Sequence, residues 1–253
     1  MVLVAGCASG DETATPRTLT LPPVAPFDYQ LGGDGQLPQG VQMVARDWQD
    51  GAAAGGDIYD VCYVNAFQSQ PGVEWPEELV SDVEDPEWPG EFVIDLSTAG
   101  NRSLAAGSVE KMVERCAAAG FDAVEFDNLD TFSRYERLAF GRAETIEYAT
   151  TIVGLAHVRG LAVAQKNTVE LLDTHIGFDF AVTEQCGEYD ECPEFTAVYG
   201  DLVFDIEYSE SGFAAACAFF ADAPTVIRRD LDLAPEGAEG HRYERCPSAL
   251  AAG

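Results

Sequence analysis

Two carboxylates and one lysine are the side chains of this sequence best placed to do chemistry, because each follows a short apolar segment. Asp127, Lys166 and Glu184 hold these positions, and side-chain alternation along a strand puts Glu125 on the same face as Asp127. Two carboxylates at one mouth can cleave a glycosidic bond, since one donates a proton to the leaving oxygen and the other attacks the sugar or activates water. We therefore expect Asp127 and Glu184 to act as a catalytic pair, with burial raising the pKa of the proton donor.

Lys166 is one of only two lysines in the chain, and a lysine beside a buried strand is costly unless carboxylates pair with it. It can form a structural ion pair or orient a catalytic carboxylate. A divalent metal held by Asp127, Glu184 and Glu207 is an alternative, although the lysine would compete for those carboxylates. The sequence lacks Gly-x-Ser-x-Gly and His-Glu-x-x-His, which counts against a lipase-like elbow and a zinc protease. The two-carboxylate scheme requires no cofactor and no metal.

The elements that must position these residues are short strands alternating with helices. Apolar, β-branched segments that end in polar residues are typical of buried parallel strands. Eight segments have this pattern: Val41–Ala45, Val61–Val64, Phe92–Ile94, Ala123–Phe126, Leu161–Ala164, Phe180–Thr183, Leu202–Ile206 and Thr225–Ile227. Phe27–Leu31 is an additional short strand candidate. Helical patterns cover Ser103–Ala119, Glu144–Arg159 and Gly212–Phe220, and Gln68–Gly90 is predicted as a long surface loop.

Repeated strand–helix units predict a parallel sheet with right-handed crossovers. Eight units in one domain fit an α/β fold, a (β/α)8 TIM-like barrel, with an extra short N-terminal strand. A doubly wound sheet is the alternative. The sequence has no G-x-G-x-x-G after a first strand and no G-x-x-x-x-G-K-[ST], so the nucleotide-binding versions of that fold lose support.

Polar residues at the carboxyl ends of barrel strands build the site in such folds. Asp and Asn at these positions can instead cap the helices that follow. Trp48 and Trp88, like two of the tyrosines, could also offer faces on which sugars stack. Apart from the catalytic pair, we expect substrate contacts from Asp47, Tyr63, Asn65, Asn128, Lys166, Asn167, Glu207 and Tyr208.

The charge of the chain restricts its partners. It has 14 Lys and Arg against 44 Asp and Glu, a formal net charge of −30. Nucleic acid and anionic membrane surfaces are poor partners because neutralising phosphates needs a basic face. An acidic surface can bind a cationic partner, can be an adaptation to high salt, or can serve only to keep the protein soluble. No apolar run reaches the roughly 20 residues of a membrane span.

The start of the chain resembles the cleavage and lipidation site of bacterial lipoproteins. Val4-Ala5-Gly6-Cys7 matches that motif, while the basic segment and most of the apolar segment that should precede it are missing. We interpret residues 1–25 as a truncated signal followed by a flexible tether rich in Ser, Thr, Pro and acidic residues. The catalytic domain is then expected over 26–248, outside the cell or on its surface, with a lipid on Cys7 as its only membrane attachment.

Six cysteines remain if Cys7 carries lipid, and an even number in an exported chain indicates disulfides. Six cysteines allow 15 pairings, among which sequence alone does not choose. Cys186 and Cys192 are close in sequence, which suggests that a disulfide between them closes one loop. For the others we propose the pairs Cys62–Cys116 and Cys217–Cys246. A zinc site is a weaker alternative, because no C-x-x-C is present and the three histidines are scattered.

Three segments resemble glycoside hydrolase family 114: Phe121-Asp-Ala-Val-Glu-Phe-Asp127-Asn-Leu-Asp130, Ala164-Gln-Lys-Asn167 and Phe178-Asp-Phe-Ala-Val-Thr-Glu184-Gln-Cys186. Five shorter matches follow, and together the segments span about Phe27 to Cys246. The shorter matches are Asp28-Tyr-Gln30, Arg46-Asp-Trp48, Cys62-Tyr-Val-Asn-Ala-Phe67, Asp85-Pro-Glu-Trp-Pro-Gly-Glu91 and Ile206-Glu-Tyr208.

This resemblance implies an endo-α-1,4-polygalactosaminidase on a barrel, acting on a galactosamine-containing polysaccharide, often partly N-acetylated. It also implies that the catalytic Asp of the family corresponds to Asp127 and its catalytic Glu to Glu184. We interpret Asp127 as the nucleophile and Glu184 as the general acid/base. We expect a monomer. The alternatives are a non-catalytic carbohydrate-binding cell-envelope protein on the same barrel, and a related barrel hydrolase acting on another glycan or coupled to aminoacyl or peptide chemistry.

Overall fold

The computed structural model describes residues 18–33, 35–53, 55, 57–221 and 224–247. The strands are β1 Phe27–Gln30, β2 Met43–Asp47, β3 Tyr59–Asn65, β4 Val80–Glu84, β5 Phe92–Ile94, β6 Ala123–Asp127, β7 Ala162–Lys166, β8 Phe180–Glu184, β9 Val203–Glu207, β10 Val226–Arg229 and β11 Tyr243–Arg245. The helices are α1 Ala99–Ala119, α2 Thr131–Arg134, α3 Arg142–His157, α4 Cys192–Tyr199 and α5 Glu210–Phe220, with 3-10 turns at Glu77–Leu79 and Val169–Leu171.

Nine strands form one curled sheet in the order β1-β2-β3-β6-β7-β8-β9-β10-β11. The first eight of these pair in parallel, and only β11 runs antiparallel, against β10. The helices α1, α3 and α5 pack on the outside against strands and one another. This architecture is the predicted (β/α)8 TIM-like barrel, whose strands all deliver their carboxyl ends to one rim.

The set of eight barrel strands differs from the prediction at two places. Phe27–Leu31, expected as an extra strand, contains β1, which pairs in parallel with β2 and belongs to the barrel itself. Phe92–Ile94, expected as a barrel strand, pairs antiparallel with β4 in a separate two-stranded sheet. Val93 and Ile94 are buried in the core between the sheet and the helices α1 and α3, not between barrel strands. An apolar run alone does not distinguish these two positions.

The predicted surface loop Gln68–Gly90 is partly structured. It contains a 3-10 turn and the strand β4, and Gln68 and Leu79 within it are completely buried. The stretch from 66 to 98 therefore forms an insertion between β3 and α1, built on the β4–β5 sheet. Trp88 lies at its exposed tip, with 52% of its surface accessible.

The helices match the predicted patterns with shifted starts. α1 begins four residues earlier than expected because Thr98 caps it, its hydroxyl accepting a hydrogen bond from the Asn101 N–H at 3.0 Å. It ends at Gly120, whose φ of 96° is the left-handed conformation that favours glycine. α2 and α4 were not predicted, since neither is long enough to show a helical period.

Two apolar layers lie on either side of the sheet. The inner layer fills the barrel with side chains such as Phe27, Met43 and Phe204. The outer layer joins the sheet to α1 and α3 through residues such as Val113 and Ile152. Side chains alternate between these layers along each strand, so a polar residue at a strand end faces either the barrel mouth or the helices.

A buried arginine closes the barrel between its first and last parallel strands. Arg229 on β10 has a side chain 1% exposed and pairs with Asp28 on β1 at 2.7 Å. It also donates to the carbonyl oxygens of Tyr29, Ala234 and Arg242. No ladder between β1 and β10 occurs among the described residues, and this side chain links the two strands through Asp28 and the Tyr29 carbonyl.

Replacing Arg229 by methionine is expected to lower the free energy of unfolding by about 3–5 kcal/mol, because Asp28 is left buried without its cation. Arg242→Met is the matched control. Its side chain is 43% exposed and pairs with Glu244 at 2.5 Å, so it should cost no more than about 1 kcal/mol. Denaturant unfolding of both variants measures the difference, and equal losses would contradict the role given to Arg229.

Three disulfides staple the barrel, as predicted: Cys62–Cys116, Cys186–Cys192 and Cys217–Cys246. They leave none of these six cysteines as a free thiolate for zinc. Within the described residues, no helix combines the length and the apolar character that crossing a membrane requires. Cys7 lies outside the described residues.

Part of the predicted tether contacts the barrel. The side chain of Leu19 packs against the inner apolar layer, and the Tyr59 hydroxyl donates to the Thr20 carbonyl at 2.8 Å. Ala25 is buried, with 5% of its surface accessible. Residues 18–25 therefore lie along the barrel surface.

Candidate active site

A cavity of about 510 Å³ opens at the carboxyl ends of the barrel strands. Strand ends supply its floor: Asp127 from β6, Lys166 from β7 and Glu184 from β8. The insertion before α1 adds one wall with Trp88 and Glu91. The site thus occupies the rim where barrel enzymes assemble their reactive groups.

Lys166 is the centre of the floor. Its side chain is 2% exposed, and its Nζ lies 3.1 Å from Glu125 Oε1, 3.3 Å from Asp127 Oδ1 and 3.1 Å from Glu184 Oε2. Burial opposes the charge on this lysine, but Asp127, Glu184 and Glu125 outweigh it and hold its pKa well above the usual value. The ammonium therefore stays charged and links three carboxylates at once.

Asp127 is held as a carboxylate. The Tyr63 hydroxyl donates to Oδ2 at 2.7 Å, and the Asn128 N–H donates to Oδ1 at 2.8 Å. Burial acts to raise the pKa of Asp127, but Lys166 and these two donors outweigh it and lower the pKa below its ordinary value. An aspartate that stays ionised in an enclosed site is suited to act as a nucleophile.

Glu184 faces Asp127 across the same ammonium. Tyr208 donates a hydrogen bond to Oε1 of Glu184, and Lys166 lies on Oε2. The Glu184 N–H donates to the side-chain oxygen of Asn167 at 2.7 Å, which fixes the strand end. The side chain is 26% exposed, so it is open to the cavity from which a leaving group or water would approach.

Glu125 lies one layer deeper and is completely buried. The Tyr29 hydroxyl donates to its Oε1 at 2.6 Å, and Lys166 donates to that hydroxyl at 2.9 Å. Burial raises the pKa of Glu125 to about 7, with Asp127 adding to the rise and Lys166 opposing it. Glu125 and Tyr29 therefore hold the Lys166 ammonium from below.

A left-handed residue follows each of the three floor side chains. Asn128, Asn167 and Gln185 have φ values of 65°, 45° and 64°, and they come directly after Asp127, Lys166 and Glu184. Such conformations cost free energy in residues with a Cβ and concentrate at functional sites. Here they turn the chain sharply away at the rim, so that the last side chain of each strand faces the cavity.

Comparisons with known proteins identify the family of this chain. A family model for glycoside-hydrolase family GH114 matches residues 9–251. The chain belongs to family GH114. Membership makes the protein a glycosidase and confirms the predicted resemblance.

Solved structures share the GH114 barrel at low identity. Aspergillus fumigatus Ega3, solved in complex with galactosamine, aligns with a TM-score of 0.74 and 19% identity over 92% of this chain and all of Ega3. The glycoside hydrolase domain of PelA from Pseudomonas aeruginosa aligns with a TM-score of 0.55 and 13% identity, over 82% of this chain and 95% of that domain. At these identities the likeness shows the fold alone.

A curated relative matches only in part. An uncharacterized protein of Deinococcus radiodurans is 26% identical over 91 residues, which is 35% of this chain and 28% of that protein. The chain therefore matches less than a third of the length of this relative.

Most of the residues predicted from sequence line the GH114 cavity. Alongside Asp127 and Glu184 these are Asp47, Tyr63, Asn128, Lys166, Asn167 and Tyr208. Trp48, considered for sugar stacking, instead lies under the Arg115 guanidinium at 4.9 Å and packs against the outer apolar layer. Trp88 does line the cavity and is exposed.

Asn65 and Glu207, predicted to contact substrate, do not line the cavity. Asn65 is a buried link whose side chain joins Glu91 to Asn128, at 2.9 Å on each side. Glu207 points toward the helices, because its neighbour Ile206 faces the barrel interior. Its carboxylate holds the loop after Glu184 rather than facing the cavity.

Glu207 accepts hydrogen bonds from the N–H groups of Gly187 at 2.7 Å and Glu188 at 3.3 Å. A Cβ on Gly212 would lie 2.1 Å from Glu207 Oε2, so only glycine fits there. Asp205, completely buried, stands beside this carboxylate and accepts from the Thr183 hydroxyl and the Cys186 N–H. Burial and the charge of Glu207 raise the pKa of Asp205 well above its usual value.

This raised pKa predicts an alkaline loss of stability. The folded state favours protonated Asp205. Asp205 therefore makes its full contribution to the free energy of unfolding below the pKa of the unfolded state, about 4, and this contribution is lost as pH rises through the pKa of the folded state. Asp205→Asn keeps a neutral acceptor and should flatten the fall in the free energy of unfolding from pH 6 to pH 9. Asp179→Asn, a carboxylate only part-buried and paired with His157, is the control. A steep fall that persists in Asp205→Asn would contradict the assignment.

Sequence reasoning missed several cavity residues. Tyr29, Gln70, Glu91, Arg134 and Tyr189 also line the site. Tyr29 lies on β1, and its parity with the inward residue Phe27 indicates from sequence that it faces the barrel interior. The others lie on loops or short elements, where no period in the sequence reports which way a side chain points.

Proposed function

We propose that this GH114 chain hydrolyses α-1,4-linked galactosamine or N-acetylgalactosamine polymers through Asp127 and Glu184. One observation carries the proposal: two carboxylates from different strand ends face one cavity and share a single buried ammonium. Asp127 has the lowered pKa of a nucleophile, and Glu184 is open to the cavity. No other set of side chains at the rim combines these properties among the described residues.

We propose retention of configuration, because both carboxylates contact the same ammonium. One oxygen of each lies against Lys166 Nζ, so the two oxygens are at most about 6.4 Å apart, the sum of the two lysine contacts. Retaining glycosidases separate their carboxyl groups by about 5–5.5 Å, and inverting ones by about 6.5–9.5 Å to admit a water. A shared cation leaves little room for that water between them.

The corresponding mechanism has two displacements. Asp127 attacks the anomeric carbon while Glu184 gives its proton to the glycosidic oxygen, so the C1–O bond breaks and an ester to Asp127 forms. Glu184 then takes a proton from water, whose oxygen attacks the same carbon and releases Asp127. Lys166 and Tyr63 stabilise the carboxylate of Asp127 before attack and again as it leaves.

The substrate class is supported by charge and by the neighbouring structure. Ega3 was solved with galactosamine, and deacetylated galactosamine units are ammonium ions near neutral pH. A chain with a net charge of −30 attracts such a polycation, less strongly as salt rises. Exposed Trp88 and Tyr189 at the mouth offer faces for further sugar units.

Three disulfides support a location outside the cytosol. We propose that residues 26–248 form the catalytic unit and that Cys7 carries a lipid holding it at the cell surface. We also propose that the protein is a monomer, because all the proposed catalytic groups come from one chain. Mass spectrometry of membrane-extracted protein tests the lipid on Cys7.

The deciding experiment is release of reducing ends from partly deacetylated α-1,4-galactosamine polymer. The native protein should release ends, in the presence of EDTA as well, and Asp127→Asn and Glu184→Gln should each lose activity by about 10³-fold. Binding of the polymer without release by the native protein would favour a carbohydrate-binding role. Neither binding nor release would overturn the substrate class, and metal-dependent activity would overturn the two-carboxylate scheme.

A further inference from the structure

Glu91 is a half-buried carboxylate that the insertion supplies to the cavity. It directly precedes β5 and lines the same cavity as Asp127. Its backbone is fixed at both ends, because its N–H donates to the Trp88 carbonyl at 3.0 Å and its carbonyl accepts from the Asp85 N–H at 2.9 Å. The mechanism proposed above leaves this carboxylate without a role.

The side-chain amides of Asn65 and Asn128 connect Glu91 to the residue that follows Asp127. The Asn65 side chain donates to Glu91 Oε2 at 2.9 Å. The Asn65 side-chain oxygen in turn accepts from Asn128, the residue after Asp127, also at 2.9 Å. Asn65 is itself 3% exposed. One oxygen of Glu91 is therefore fixed by a buried link, and its orientation relative to Asp127 is set before substrate arrives.

The other oxygen of Glu91 has no partner within the described part of the chain, and no lysine, arginine or histidine there lies within salt-bridge distance. Arg134, whose charge acts on Glu91, is paired instead with Asp130 at 3.1 Å, Asp85 at 3.6 Å and the Asn128 side chain. Burial, with Asp127 and Asp85 adding to it and Asn65 and Arg134 opposing it, raises the pKa of Glu91 to about 7. A cation entering the cavity at this oxygen would remove that electrostatic cost.

Resting on the function proposed above, we propose that Glu91 binds the C2 ammonium of the galactosamine unit held beside Asp127, and so selects free amine over N-acetyl units. An ammonium group offers three N–H donors and a full charge to the open carboxylate oxygen. An N-acetyl group is neutral and larger, and it leaves that oxygen without a cation. Glu91 is a specificity-determining residue in this assignment and takes no part in bond cleavage.

The test compares the full chain and Glu91→Gln on two substrates, deacetylated and fully N-acetylated α-1,4-galactosamine oligomers of equal length. Glutamine keeps an acceptor for Asn65 and removes only the charge, so thermal unfolding should match the native protein. Glu91→Gln should raise KM for the deacetylated oligomer about tenfold or more while changing kcat less than threefold. For the N-acetylated oligomer both constants should stay within about threefold of the native values.

Glu78→Gln removes one exposed charge from the same insertion outside the cavity, and it should leave the ratio of the two KM values unchanged. An equal rise in KM on both substrates with Glu91→Gln would overturn the assignment, since it would indicate a structural role. An unchanged KM on the deacetylated oligomer would overturn it too. Failure of the native protein to cut either oligomer would overturn the proposed function first and this inference with it, so the two failures are distinguishable.

Discussion

Asp127→Ala is expected to lower kcat/KM on the galactosamine polymer by about 10³-fold or more, and added azide should restore turnover of an aryl α-galactosaminide with inverted product. Removing the carboxylate leaves a space of its size on the face from which Asp127 attacks. Azide can enter that space and displace the aryl group directly. One displacement instead of two gives a glycosyl azide of opposite configuration to the substrate.

Glu184→Ala should respond in the opposite stereochemical sense. The aryl leaving group needs little protonation, so the ester to Asp127 still forms, and azide then attacks it from the face that water would use. The product keeps the configuration of the substrate. NMR of the two azides distinguishes the roles. An inverted product from Glu184→Ala and a retained one from Asp127→Ala would exchange the assignments of nucleophile and acid/base.

Much of this site could be predicted because its residues obey strand periodicity. Asp127 and Glu184 each end an apolar run, and in a parallel barrel all such ends meet at one rim. The parity of Glu125 with Asp127 correctly put both on the interior face. Lys166 was expected to need carboxylate partners, and the structure gives it three.

Glu207 shows where this reasoning stops. Its strand alternates polar Asp205 and Glu207 with apolar Phe204 and Ile206, and the alternation is real. Periodicity alone does not say which set faces the barrel, because β6 places its acids inside and β9 places its acids outside. Packing of Phe204 against the rings of Phe27 and Phe180 decides the question, and that contact joins strands far apart in sequence.

Residues of the insertion had no comparable signal. Phe92–Ile94 is three residues long and apolar, so it fits a barrel strand or a side sheet equally well. Its pairing with β4 follows from a turn through Trp88 and Gly90 that brings the chain back on itself. The position of Glu91 in the cavity depends on that turn and on Asn65, so it could be found only from the structure.

Lys166→Met is expected to have the second large effect, on both activity and stability. Three carboxylates then share a buried space with no cation, which should lower the free energy of unfolding at neutral pH by about 3–5 kcal/mol. kcat/KM should fall by at least about 10²-fold because the charge that keeps Asp127 ionised is lost. Lys111→Met, which removes the exposed lysine of α1, should change neither quantity measurably.

The pH dependence of Lys166→Met has a definite sign. In the native protein the lysine helps to lower the pKa of Asp127, so its removal raises that pKa and moves the acid limb of kcat/KM to higher pH. The pKa of Glu125, raised to about 7 by burial even with the lysine opposing, should rise further. Protonating these groups relieves their repulsion, so the variant should lose less stability at pH 5 than at pH 8.

A second substitution separates charge from packing in this variant. Glu125→Gln removes one of the three carboxylates while keeping an acceptor for the Tyr29 hydroxyl, which donates to Glu125 at 2.6 Å. Added to Lys166→Met, it should recover part of the lost stability at pH 8, because fewer like charges remain buried together. Additive losses in the double variant would mean that the lysine acts through its aliphatic packing, and the electrostatic account of the floor would fail with that result.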